Sequence, residues 1–263
     1  MRYLLVASLA ILFASGCAVQ RQQTIHYSEA TLSNNAKIGI AMSEIPAINA
    51  SYPGADCLLC LAAASAANSK LTNHVENQLS SEELKKIPEL VQAKLKELGY
   101  ESSIIDSPLK TFNLPKIKSE VPNTARRDFT YFKDTYDIDY LVGIEFSYVG
   151  VQRQYSSYIP TSDPQALILG LEYVIKIEDN TYTWYKPLNT YRSAEGEWKE
   201  PPNFPGITNA FYQVIERVLD EVVNTSTGKV EAGLVVNTEL EKVETEAEAK
   251  EFKEMKEEVE SAK

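Results

Sequence analysis

Two neighbouring runs of alternating side chains, closed by an amphipathic helix, constrain this chain more than any other feature. In DYLVGIEFSYV, residues 139–149, Tyr140, Val142, Ile144, Phe146 and Tyr148 alternate with Leu141, Gly143, Glu145 and Ser147. In ALILGLEYVIKIE, residues 166–178, Leu167, Leu169, Leu171, Tyr173, Ile175 and Ile177 alternate against Glu172, Lys176 and Glu178. A period of two is that of a strand with one face buried. Asp179-Asn180 suits a tight turn into TYTWYKP, where Tyr182 and Trp184 fall on one face. ITNAFYQVIERVLDEVV then places Phe211, Val214, Ile215, Val218, Leu219 and Val222 on one stripe of a helix. A hairpin of that length with a helix behind it predicts a sheet covered on at least one side.

Earlier in the chain, KIGIAM (37–42) reads as a short strand. Leu84, Ile87, Val91, Leu95 and Leu98 form a helical stripe, with Ser80 and Glu83 able to make a capping box and Gly99 suited to the turn after it. Pro88 either kinks this helix or restarts it in its own first turn. ESSIID (101–106) is a second strand, and the prolines at 108, 115 and 122 mark a loop. Asn123 or Thr124 can cap a helix carrying Ala125, Phe129, Phe132 and Tyr136 on one side. The expected class is α/β (α+β): a mixed sheet with packed helices in the order β-α-β-α-β-β-β-α, plus a charged C-terminal helical tail.

Residues 1–16 precede this domain with Arg2, an apolar run from Tyr3 to Ala14, and Ala14-Ser15-Gly16 before Cys17. About twelve apolar residues are too few to span a bilayer but suit a signal-peptide core. Ala-Ser-Gly-Cys resembles the lipobox of bacterial lipoproteins, although Ala14 stands where most lipoboxes carry Leu. The resemblance implies lipidation of Cys17, cleavage before it and, because Ala18 is not Asp, an outer-membrane address on the periplasmic face. Residues 17–36 read as a lipidated start and polar tether in which His26 is a solvated side chain. Residues 37–225 form the periplasmic domain, with an insert at 43–80, and 226–263 a linker and acidic tail. The element order over 37–225, in IGIAM, KLKELGY…SIID and DYLVGIEF, resembles the TolB N-terminal domain and the LpoB-like lipoproteins that activate penicillin-binding proteins; the insert departs from both.

Charge narrows the partners. The chain carries 26 Lys+Arg against 37 Asp+Glu, and loss of Arg2 with the leader takes the formal net charge from −11 to −12. Such a balance excludes a counterion-displacing nucleic-acid binder. Two histidines and three cysteines leave little for a metal site, and neither metal nor cofactor is expected. In the tail, ten Glu and five Lys among residues 238–263 leave a thin apolar seam, compatible with a solvated helix, a disordered segment or a partner-binding coiled coil.

Cys57-Leu58-Leu59-Cys60 is the one short motif. Two thiols three apart in an oxidising compartment can form a local disulfide, can pack reduced, or can serve redox chemistry at a helix start capped by Asp56. The apolar Leu-Leu and the distance from the first strand speak against a thioredoxin-like enzyme. His74 is expected at a surface or interface. Residues 57–67 are all apolar or small: either a helix packed on its own domain, or a surface including Leu58, Leu59 and Leu61 that meets a membrane or a second subunit. Tyr148, Tyr182 and Trp184 on the hairpin strands are interface candidates or finish the sheet. Glu195 and Glu197 make a weak carboxylate pair. The chain is therefore read as a non-enzymatic, membrane-anchored scaffold with an envelope protein partner, self-associating through residues 57–67 or the tail. The other readings are a lipid- or small-molecule-binding auxiliary of transport, with a pocket between sheet and alanine-rich helix, and a thiol-disulfide enzyme using Cys57 and Cys60.

Overall fold

The structure is a computed structural model that describes residues 22–28, 31–200 and 203–227. The leader, Cys17 and the tail from residue 228 lie outside the described residues.

One mixed sheet carries the molecule. Its strands are β1 (Lys37–Met42), β2 (Asn49–Ser51), β3 (Glu101–Ile104), β4 (Tyr140–Gln152), β7 (Gln165–Lys176) and β8 (Thr181–Ser193). A separate small hairpin, β5 (Tyr155–Ser156) and β6 (Ile159–Pro160), lies between β4 and β7. The order is β3-β1-β4-β7-β8; β1 pairs in parallel with β3 and β4, while β4, β7 and β8 form an antiparallel meander. β2 pairs with the far end of β4. The parallel half needs long crossovers, which the helices supply. These are α1 (Leu58–Ala67), α2 (Ser69–Gln78), α3 (Ile87–Glu97) and α4 (Tyr131–Tyr136), with α5 (Pro205–Thr225) closing the chain. The expected class and main order stand, with β2 and the β5–β6 hairpin added.

Both sheet faces are covered, which is why so much of the meander is buried. On one face α2, α3 and α5 press Leu71, Val75, Val91, Leu95, Phe211, Val214 and Val218 against Ile38, Ile40, Val142, Ile144, Ile168 and Val174. On the other, residues 105–138 bring Ile105, Leu109, Ala125, Phe129 and Phe132 onto Leu141, Tyr173 and Ile175. Double coverage corrects the reading of Glu172 as a solvent-facing residue: it is fully buried beneath α5.

Several local expectations change. Pro88 restarts the helix: residues Glu82–Lys86 form a 3₁₀ turn, and α3 opens at Ile87 with Pro88 in its first turn. Ser80 accepts from the Glu82 N–H at 3.3 Å, so no Ser80–Glu83 box forms. The helix expected from residue 123 begins only at Tyr131. Ala125 and Phe129 are still buried, because Asn180 ties the irregular segment down: its Oδ1 accepts from Phe129 N–H (2.9 Å) and its Nδ2 donates to Arg127 O (2.8 Å).

Within residues 17–36, expected to be a polar tether, residues 25–27, Leu32 and Ala36 pack on the domain. Ile25 exchanges both backbone hydrogen bonds with Tyr185 on the β8 edge, Tyr27 packs edge-on against Trp184, and Leu32 and Ala36 are buried. An edge strand offers unpaired N–H and C=O groups, which even a polar segment can satisfy.

Candidate functional site

β4, β7 and β8 end together at Gln152, Gln165 and Ser193, and the insert folds over that end. Ser51 O accepts from Arg153 N–H, Pro53 O from Tyr155 N–H, and Gly54 O from Ser157 N–H, so the chain after β2 runs alongside β5. Gly54 has φ +86°, and a Cβ there would stand 1.8 Å from Tyr155 O; only glycine fits this contact. Tyr52, Ala55, Cys60, Ala64 and Tyr155 then make a small satellite core that seats α1. Asn68, buried at the α1–α2 junction, donates to Ala64 O (2.7 Å) and to the Tyr155 hydroxyl (2.6 Å), and accepts from Arg153 Nη1 (3.0 Å). The Arg153 guanidinium lies over the Trp198 ring at 4.8 Å.

This frame holds α1 by one narrow edge. Cys60 and Ala64 are its only buried residues. Leu58 is 86% exposed, Leu59 72% and Leu61 46%, while Ala62, Ala63, Ala66 and Ala67 also face outward. Cys57 and Cys60 are disulfide-bonded, Cα atoms 4.9 Å apart, which closes the Leu58-Leu59 step into a small ring. The Cys57 sulfur caps the helix by accepting from Cys60 N–H at 2.9 Å. The Tyr158 hydroxyl reaches to 3.7 Å from the same sulfur, which brings the exposed Tyr158 and Ile159 of the hairpin beside the three leucines. The result is one contiguous apolar face without a charged side chain along α1. Exposed patches of this kind mark contact surfaces more often than solvent-exposed helices.

The other candidate residues are elsewhere. Trp184 is buried, 3% exposed, in the core beneath α5, so it is not an interface residue. Tyr182 joins the opposite core, since the ladder skips Thr183 between the Val174–Trp184 and Ile175–Tyr182 pairs; this bulge puts Tyr182 and Trp184 on opposite faces. A bulge at Ser147 likewise breaks the alternation of β4, so Val149 and Val151 take the core positions. Tyr148 is turned to the sheet edge, where its hydroxyl pairs with Ser51 Oγ and donates to Val151 O, both at 2.9 Å. His74 is buried against Phe204 with Nε2 2.7 Å from Thr208 Oγ1, and burial lowers its pKa. Glu195 pairs with Arg192. A cavity of about 140 Å³ lies among Ala41, Leu109, Leu114, Tyr131 and Phe132, below the roughly 300 Å³ of a typical ligand site.

Sequence reasoning missed one polar group. Glu172 on β7 has Oε2 2.8 Å from the Thr225 hydroxyl of α5 and Oε1 without a partner. Its register neighbour on β8, Lys186, is paired with Glu221 of α5. Burial, the largest effect, pushes the Glu172 carboxyl up to about 7, with Glu221 adding repulsion.

No protein-family model and no curated protein matches this sequence. Among solved structures, the chain is similar to a protein of the DUF330 family from Xanthomonas campestris: 14% identity, 80% of this chain and 94% of that one, TM-score 0.39. A lipoprotein from Neisseria meningitidis shares 11% identity over 72% of this chain and 99% of its own, TM-score 0.29. A hypothetical protein from Chlamydia trachomatis shares 12% over 73% and 98%, TM-score 0.31. Likenesses this low transfer no residue role.

Proposed function

We propose that this protein is a lipid-anchored, non-enzymatic binding module of the bacterial envelope, held at the outer membrane through Cys17 and gripping a protein with the α1 and β5–β6 face. The anchor rests on the lipobox-like Ala14-Ser15-Gly16-Cys17. The observation that carries the grip is the exposure of Leu58, Leu59 and Leu61 on a helix that its own domain barely buries.

The two ends of the molecule support this division of labour. Gln22 Nε2 donates to Asn123 Oδ1, and Asn123 O accepts from Tyr182 N–H, so the chain leaves toward Cys17 beside the β7–β8 turn. The apolar face lies beyond Ser193, eleven residues or about 36 Å further along β8. Five residues from Cys17 to Gln22 reach at most about 17 Å. An anchored domain therefore presents its apolar face at the pole away from its attachment, which favours a protein over the anchoring bilayer. The reactive groups singled out in the sequence have structural partners: Cys57 with Cys60, His74 with Thr208, Glu195 with Arg192.

Cys17→Ser tests the anchor by cell fractionation. The variant should move to the soluble periplasmic fraction; continued membrane retention refutes lipid attachment. Unchanged association after Leu58→Gln with Leu59→Gln would refute the grip.

A further inference from the structure

The disulfide at the head of α1 is unevenly placed. Cys57 is exposed, whereas Cys60, three residues on, is buried with Tyr52, Ala55, Ala64 and Tyr155 in the satellite core. An attacking thiolate therefore meets Cys57 first, and Cys60 is left as the departing sulfur. Exposed disulfides are the ones open to exchange, while enclosed structural bonds resist it. The seating of α1 does not run through this bond. Cys60 and Ala64 are its buried side chains, and Asn68 bonds to Ala64 O and the Tyr155 hydroxyl without involving either sulfur.

The surroundings also distinguish the two thiols that reduction would release. Cys57 is the N-cap, and its sulfur accepts from Cys60 N–H, one of the first-turn donors that lack a partner within a helix. That N–H and the positive end of the ten-residue helix favour a thiolate over a thiol at Cys57. From the β5–β6 hairpin, the Tyr158 hydroxyl stands 3.7 Å from the same sulfur and can donate to a thiolate. The first turn of α1 holds no acidic residue, and the carboxylate next in sequence, Asp56, is exposed and screened by water. Cys60 has an apolar setting, which keeps its thiol protonated.

We propose that the Cys57–Cys60 disulfide is a reversible exchange site for a dithiol, with Cys57 the attacked sulfur and Cys60 the leaving one. In the first step a thiolate of the dithiol bonds to Cys57 Sγ and the Cys57–Cys60 bond breaks. Its electron pair leaves on Cys60, which takes up the proton the attacking thiol gave up. In the second step the other sulfur of the dithiol, as a thiolate, bonds to the first, and Cys57 departs as the thiolate its N-cap position stabilises. Two electrons pass to this protein, and the dithiol becomes a disulfide. These steps need an open sulfur at a helix start and no thioredoxin-like sheet. The cysteine pair is itself the species changed, so the exchange adds a redox state to a binding module. Leu58, Leu59, Tyr158 and Ile159 are exposed beside the sulfur and offer a docking collar to a dithiol carried on a polypeptide. That docking rests on reading the face as a protein contact; the exchange does not.

The test uses the native full-length protein, with dithiothreitol as the dithiol and no denaturant. The released thiols are alkylated with iodoacetamide across a pH series and located by peptide mapping. Cys57 should react with a midpoint below the ordinary thiol value of about 8.5, and at least tenfold faster than Cys60 at neutral pH. A bond that opens only in urea, a midpoint at or above that value, or a smaller preference for Cys57 overturns the proposal. Oxidised glutathione should form a mixed disulfide with Cys57 in the Cys60→Ser variant and leave Cys60 unmodified in Cys57→Ser; equal modification of the two overturns it. The alkylation of the unsubstituted chain decides the matter where either variant misfolds. Leu58→Gln with Leu59→Gln separates this proposal from the grip, because dithiothreitol needs no docking. Exchange should persist in that variant; its loss overturns the exchange site, whereas unchanged partner association overturns the grip alone.

Discussion

Glu172 is the residue whose chemistry is least at ease. It lies in the dry layer between β7 and α5, faced by Lys186 from β8, Glu221 and Thr225 from α5, and Ile144 across β4. Lys186 is committed to Glu221, so the ionised Glu172 keeps one hydroxyl bond and one bare oxygen. A carboxyl raised to about 7 in the fold, against 4.5 ordinarily, binds protons more tightly folded than unfolded. Its contribution is therefore fully present below pH 4.5 and is lost as pH rises through 7. The difference corresponds to about 3 kcal/mol. Glu172→Gln should leave the protein more stable than the parent at pH 8, with the advantage shrinking toward pH 5. Thermal melts of both proteins at the two values check this, and a parallel pH dependence in the variant would refute it.

Asn180 shows the opposite case, a buried polar residue fully used. It occupies the left-handed region (φ 56°) and bonds three backbone groups of the 125–129 segment. Asn180→Ala should cost about 2–4 kcal/mol in urea unfolding, through orphaned backbone groups and strain at positive φ. Asn180→Gly should recover only the strain.

At the scale of elements, α1 and α2 adjoin in sequence but differ in purpose. α2 buries Leu71 and Val75 in the main core, whereas the leucines of α1 point outward. Leu58→Gln with Leu59→Gln should change unfolding free energy by less than about 0.5 kcal/mol, while Leu71→Ala should cost about 2–4 kcal/mol. Equal costs would mean that α1 is packed. The two bulges matter at this scale too. Each adds one residue to a strand, so every side chain beyond it changes face; the break at Thr183 buries Trp184 and sends Tyr182 to the other core.

For the whole molecule, the described segment before β1 belongs to the fold. Residues 25–27 cap the β8 edge and cover Trp184. Tyr27→Ala should therefore admit water to Trp184, giving a red-shifted emission, and should destabilise the domain. Unchanged emission would mean that the segment does not cover the ring in solution. Because this cap fixes residues 25–27 against β8, it also sets that end of the described chain apart from the α1 pole.

Periodicity in the chain was enough to locate the sheet, the restart or kink at Pro88 and the α5 stripe, since a period of two or 3.6 states which side of an element is apolar. Element order gave the mixed α/β class for the same reason. The CLLC spacing and the uncharged run after it marked the candidate face without deciding whether it was inside or outside. That decision belongs to tertiary structure: α1 is seated through Cys60, Ala64 and Asn68, and among the described residues its leucines stay exposed. Likewise, no local pattern distinguishes a polar tether from a polar edge cap, a solvent-facing Glu172 from a buried one, or an unbroken strand from a bulged one. Each depends on which distant segment lies against it, and burial is a property of that packing.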